Sequence, residues 1–128
     1  MTLVISLKPA ERVIVGNAVI TNNSEGRANL QIEGDVVKLR EKDILLEKDA
    51  TTPCKKIYLA VQLMYLSSEP HTLYKIFFDL VRDVQAAAPS TTLFFARIGA
   101  HIMNDEYYKA LKEARNLITH EQKLLASV

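Results

Sequence analysis

The chain has 128 residues, 48% of them hydrophobic, with 16 Lys and Arg against 15 Asp and Glu. A composition this apolar excludes intrinsic disorder and is enough for one compact domain or for two small units sharing an interface, while near-neutrality excludes bulk, sequence-independent attraction to nucleic acid or acidic membranes. The balance holds in both halves, with nine basic against eight acidic side chains up to Lys56 and seven against seven beyond it, so any RNA contact has to come from a local patch.

Residues 1–50 read as an antiparallel β unit, with strands over 3–7, 12–15, 17–21, 27–32 and 36–46, the last interrupted near Asp43. Turn chemistry separates them: Lys8-Pro9-Ala10-Glu11 bends the chain, Asn22-Asn23-Ser24-Glu25-Gly26 is a loop tip, and Gly34 accommodates a positive φ. The pattern predicts a meander. In the last strand, period-two alternation puts Lys38, Arg40 and Lys42 on one face and Val37 and Leu39 on the other. Cations two residues apart can track a phosphate backbone, and Arg can grip a phosphate or a guanine edge with two hydrogen bonds. The alternative is a solvated strand face, because Glu41 and Asp43 lie close enough to dilute the charge.

Residues 51–128 read as helical. Thr52 before Pro53 is a helix start, with a capping hydroxyl and a proline preset for the first turn. The run from Ile57 to Leu66 has only Gln62 as a polar interruption, yet is far shorter than the about 20 residues that cross a bilayer, so it predicts a buried helix and no membrane span. Ser68-Glu69-Pro70 opens a second helix with Leu73, Phe77, Leu80, Val84 and Ala87 at helical spacing, and Pro89 ends it. A third helix is predicted over 92–103. Asn104-Asp105-Glu106 supplies a cap and acids for a fourth, running to about Leu125 with Tyr107, Leu111, Ala114, Ile118 and Leu125 facing the core.

Candidate chemistry is sparse. His71, His101 and His120 have no spacing that assembles a zinc site with the single cysteine. Cys54 sits near a helix start, where the dipole, Lys55 and Lys56 would lower its thiol pKa, but nothing in the sequence places a histidine beside it. There is no phosphate-binding glycine loop, nucleophile elbow or paired-carboxylate motif. These readings predict a protein that is not an enzyme and has no catalytic residue, metal or cofactor. With no leader pattern and no possible intramolecular disulfide, the cytoplasm is the expected location.

All nine aromatic residues lie at or after Tyr58. The β region therefore offers no side chain on which bases could stack, and its thin core predicts that it needs the helices or a second copy of the chain. Tyr107 and Tyr108 point about 100° apart on a helix, so one should be half exposed. Both, with Glu121 on the same helix, are candidates for a protein interface, the alternative being a tyrosine that simply reaches solvent over an apolar body.

Several segments together resemble the FlbT family of flagellin regulators: the strand 3–7 running into Lys8-Pro9-Ala10-Glu11, then Leu39-Arg40-Glu41-Lys42-Asp43-Ile44, Thr51-Thr52-Pro53 with Ile57-Tyr58, Met64-Tyr65-Leu66, and Tyr107-Tyr108-Lys109-Ala110-Leu111. The resemblance implies post-transcriptional control of flagellin synthesis through the 5′ untranslated region of flagellin mRNA, altering its translation or lifetime. It also implies a protein partner of the FlaF type. Ala10 stands where the family pattern has glycine, which predicts an ordinary φ in that turn, and Lys55 and Lys56 stand where arginines are common. Residues 1–47 are more distantly similar to CsrA, an all-β translational repressor whose strands interlock in a homodimer, and Arg40 matches the RNA-binding arginine of its last strand. Ser6 and Leu7 replace the basic residues of its first strand.

The sequence thus predicts an α+β protein, an antiparallel CsrA-like β unit (1–50) with a four-helix segment (51–128) packed on it, that binds flagellin mRNA as a homodimer. Arg40 is the leading RNA contact, with Lys38 and Lys42 on phosphates and Lys8 and Arg12 as secondary candidates. The competing reading is an adaptor without RNA contact, acting through its helices on a FlaF-type protein or flagellin.

Overall fold

The computed structural model describes residues 2–127. Among them the first of two units, Met1–Ile44, holds five strands: β1 (Thr2–Leu7), β2 (Arg12–Val15), β3 (Ala18–Thr21), β4 (Ala28–Glu33) and β5 (Lys38–Arg40). Alternation in β1 and β4 makes their antiparallel pair one-sided. Leu3, Ile5 and Leu7 lie opposite Ile32, Leu30 and Ala28, so the apolar residues share a face. In the second sheet β2 lies between β3 and β5, both antiparallel to it. Ile5, Leu7 and Val13 are fully buried where the inner faces of the two sheets meet, with Leu3, Val15, Ile20, Leu30 and Ile32 packed around them.

The predicted meander is corrected here, because β1 takes β4 as its partner and the strands divide between two sheets. Asn22 makes that division possible. Its buried side chain donates to the carbonyls of Leu7 and Gly26, at 2.9 Å each, and accepts from the amide and hydroxyl of Ser24. It therefore ties the end of β1 to the loop that leads into β4. The predicted last strand is also shortened. β5 stops at Arg40, and Glu41–Asp43 tighten into a 3-10 turn closed by the Ile44 amide on the Glu41 carbonyl. Three consecutive charged residues of poor strand propensity explain the break, which removes Lys42 from the strand.

The second unit, Leu45–Val128, carries α1 (Pro53–Leu66), α2 (Tyr74–Ala87), α3 (Thr92–Met103) and α4 (Tyr107–Ala126). The Thr52 hydroxyl accepts from the Lys55 amide, with Pro53 in the first turn, and so starts α1 as its sequence predicts. Gln62, buried on α1, exchanges two hydrogen bonds with the backbone of Leu45 and pins the segment before the helix. α4 packs on α1 and α3, and α1 also packs on α2. The buried stripe of α4 is Ala110, Leu111, Ala114, Leu117 and Glu121, rotated from the predicted one: Ile118 is half-buried and Leu125 is exposed. The residue at the start of α4 is Glu106, not Asn104, and its carboxylate is occupied by Lys109 and His101. The α+β class stands, and no helix among the described residues is long and apolar enough to cross a membrane.

One turn departs from expectation. Ala10 has φ of 66°, the left-handed conformation that glycine would take there without cost. It is held by its amide on the Asn22 carbonyl (2.8 Å), by the Glu11 amide on the Lys8 carbonyl (3.0 Å), and by the Lys8 amide on the Glu11 carboxylate (2.8 Å). Left-handed backbone costs an alanine about 1–2 kcal/mol, part of which a glycine returns as unfolded-state entropy. Ala10→Gly should therefore raise stability by about 1 kcal/mol, read as a higher urea midpoint with an unchanged slope.

Candidate functional site

In the β unit, the register decides which cations can act together. Val13 lies opposite Arg40 and Val15 opposite Lys38, so Arg40 and Lys38 share a face of their sheet. That face is also the one on which Val13 and Val15 join the core, so it is apolar at its centre and cationic at its β5 margin. Leu39 is buried on the other face, as alternation predicts, and Arg40 is exposed. Its guanidinium makes no hydrogen bond or ion pair among the described residues.

Arg12 is one residue out of step with Val13 and so belongs to the opposite face. Its Nε donates to Glu41 Oε1 at 3.1 Å, an exposed ion pair of about 0–1 kcal/mol. Lys8 and Lys42 meet at a shallow hollow completed by Pro9, Ala10, Glu11 and Glu41. Two cations and two carboxylates there cancel formally. Of the five RNA candidates, the structure thus brings Lys38 together with Arg40, gathers Lys8 and Lys42 at the hollow, and leaves Arg12 beside it, tied to Glu41. Sequence reasoning missed Glu41 as a partner of Arg12, because that contact depends on the β2 and β5 register and has no local signal.

The helical unit contains a second candidate. Where α1 begins and α2 and α4 end, a cavity of about 430 Å³ is walled mainly by apolar groups, among them Val84, Ala87, Ala88, Leu124 and Leu125. Glu121 lies within it, buried, its carboxylate accepting from the Thr52 hydroxyl and, at 3.0 Å, from the Cys54 amide. This is a helix cap supplied from a distant helix, satisfying a first-turn amide at the positive end of the α1 dipole. Glu121, expected at an edge or partner surface, is placed inward.

Cys54 corrects the sequence expectation. Its thiol is pushed up to about 12, from an ordinary 9.0, first by burial and then by the charge of Glu121 and the hydrogen bond to it. Those causes outweigh the dipole and the neighbouring lysines. Tyr107 is half-buried, with its hydroxyl 2.7 Å from that of Tyr74, and burial followed by that hydrogen bond raises its pKa. Tyr108 is 38% exposed, meets the Tyr65 ring at a tilt of 44° with ring centres 5.6 Å apart, and lies under the Lys112 ammonium at 5.0 Å. No group of three or more His, Cys, Asp or Glu that could hold a metal occurs among the described residues.

Comparison with known proteins adds a family to this geometry. The family model described as "Flagellar protein FlbT" matches residues 3–125. A Bradyrhizobium diazoefficiens protein named "Probable flagellum biosynthesis repressor protein FlbT 1" is 51% identical over 125 residues, covering 97% of this chain and 85% of that protein. A Rhodopseudomonas palustris protein of the same type of name is 41% identical, covering 98% of this chain and 99% of its own. The Caulobacter vibrioides "Flagellum biosynthesis repressor protein FlbT" is 34% identical over 131 residues, covering 100% and 92%. No solved structure matches the chain.

The Cys54 environment gives a direct test. A thiol at about 12 instead of 9.0 has about a thousandth of the ordinary thiolate fraction at pH 8. Ellman's reagent should therefore modify the native chain about a thousandfold more slowly than the urea-unfolded chain, and Glu121→Gln should recover part of that rate. Because the folded-state value is raised, the thiol's contribution to stability is complete below pH 9 and is lost as the pH rises towards 12.

Proposed function

The chain belongs to the FlbT family, and on that premise we propose that it controls flagellin synthesis post-transcriptionally, by direct contact with the 5′ untranslated region of flagellin mRNA. The coarser statement rests on membership alone: this is a regulator of flagellar synthesis, in a regulatory family that is not an enzyme family. The finer one places the protein in the cytoplasm, acting on the translation or lifetime of the message. The observation that carries the RNA reading is Arg40, an exposed guanidinium without an ionic partner among the described residues, beside Lys38 on one sheet face. Lys42 and Lys8 serve as phosphate contacts at the neighbouring hollow, and Arg12 contributes by exchanging Glu41 for phosphate. The chain acts as a homodimer in this reading. Support comes from the CsrA likeness of residues 1–47 and from β1, β3, β4 and β5, each of which has one edge without a partner strand among the described residues.

A second reading is favoured by the charge cancellation at the hollow, where Glu11 and Glu41 oppose Lys8 and Lys42. In it the chain is an adaptor that reaches RNA only through a FlaF-type protein, or acts on flagellin itself, and the half-exposed surface around Tyr107 and Tyr108 belongs to the protein contact, from which the buried Glu121 is excluded.

A titration of the purified chain against a flagellin leader RNA at two salt concentrations separates the readings. Arg40→Ala should weaken binding by about 1–3 kcal/mol if Arg40 reads a base, and should lower the salt slope by about one if it meets only phosphate. Binding and slope both unchanged would remove Arg40 from the site. Binding seen only when the FlaF-type protein is added would establish the adaptor.

A further inference from the structure

We infer that the cavity where α1 begins and α2 and α4 end is a docking site for a segment of a partner protein, one that inserts a bulky apolar side chain and carries Lys or Arg beside it. This gives the adaptor reading its site, and it does not depend on the RNA reading.

The interior asks for an apolar group. Its volume of about 430 Å³ lies within the about 300–1,000 Å³ of ligand-sized sites. Its polar atoms are already satisfied: Glu121 by Thr52 and the Cys54 amide, and the Thr91 hydroxyl by the Ala88 carbonyl at 2.6 Å. No buried side-chain nitrogen or oxygen among the described residues is left without a partner. A polar ligand atom inside would find nothing waiting for it and would lose its own hydration.

The rim asks for a cation. Asp83 lines the mouth, is exposed, and makes no hydrogen bond or ion pair among the described residues. One turn earlier on the same helix, Asp79 is already tied to Lys75 at 2.9 Å and Arg82 at 3.3 Å. Among the described residues no Lys, Arg or His lines the cavity, so the charged groups an incoming cation meets there are carboxylates.

The mouth favours a polypeptide over a small free ligand. Leu125 is 59% exposed, and Pro53 and Ala87 are exposed as well, so apolar surface continues outward from the cavity. A small ligand would leave that surface wet, whereas a chain anchored by one side chain covers it with its flanking residues.

The test uses the full chain with ¹⁵N-labelled amides and two short amphipathic helical peptides sharing one Leu and Phe stripe, one flanked by Lys and the other by Glu. The Lys-flanked peptide should shift the amides at 51–54, 84–88 and 124–125 and bind about tenfold more tightly than the Glu-flanked one. Asp83→Lys should reverse that preference, and Ala87→Trp should abolish binding while the remaining amide spectrum is retained. Absence of shifts at these positions with both peptides, or equal affinity for the two, would overturn the inference. Equally tight binding of n-octylamine would overturn it too, by making the cavity a site for a free amine. An RNA titration that fails leaves these shifts untouched, and shifts that fail leave the RNA titration untouched.

Discussion

Glu121 is the interaction on which the arrangement of the helical unit depends. A carboxylate this buried persists only when it is hydrogen-bonded, and here the donors are the Thr52 hydroxyl and the Cys54 amide. Those groups belong to the first turn of α1, while Glu121 stands near the end of α4, so one contact fixes where the first helix starts against where the last one finishes. It is directional and specific, unlike the apolar packing of α1 on α4, which would tolerate small slides. The cavity follows from it: α1 and α4 are locked together at that end, and small residues, Ala87 and Ala88, close α2 beside them without filling the space.

Asn22 does the corresponding work in the β unit. Two sheets of two and three short strands have little apolar surface each, and neither is stable without the other face to cover. By bonding the Leu7 and Gly26 carbonyls together, Asn22 joins the end of one strand to the loop before its partner and holds the Ala10 turn through its backbone. The left-handed alanine is the cost of that geometry. A turn with so many hydrogen bonds can impose φ of 66° on a residue whose sequence context suggested otherwise.

These two contacts also explain what was legible in the sequence. Elements with a local cause were readable: alternation in residues 3–7, the Thr52 and Pro53 start, and the end of the second helix before Pro89, although its predicted opening at Pro70 is a 3-10 turn and α2 begins at Tyr74. The α+β class followed from them, whereas the family came from the resemblance of whole segments such as Leu39-Arg40-Glu41-Lys42-Asp43-Ile44 and Tyr107-Tyr108-Lys109-Ala110-Leu111. What depended on contacts distant in the chain was not readable. The pairing of β1 with β4, the ion pair of Arg12 with Glu41, and the inward turn of Glu121 join residues far apart in sequence, and the raised Cys54 pKa follows from that same carboxylate. The predicted α4 stripe holds at Leu111 and Ala114 and drifts at its ends, where Tyr107 and Ile118 are half-buried and Leu125 is exposed. For the site, alternation already put Lys38 and Arg40 on one face, as the register bears out, but the turn that takes Lys42 out of the strand was not legible.

Net charge is therefore a poor guide to this protein, and pairing is a better one. A formal +1 suggests a surface indifferent to charge, yet many of its charges are already spent in pairs, Arg12 with Glu41, Asp79 with Lys75 and Arg82, Glu106 with Lys109, Arg97 with Glu113. A paired charge contributes little at a distance and must give up its partner before it can bind a ligand. Arg40 and Asp83 carry no such cost, and they differ in sign and in the unit to which they belong. A neutral chain can in this way keep unpaired charges of both signs, Arg40 and Asp83 among them, each effective at short range in its own unit, without a strong long-range field. Specific recognition suits a regulator of one process better than strong attraction does, because such a protein must ignore most of the polyanions around it.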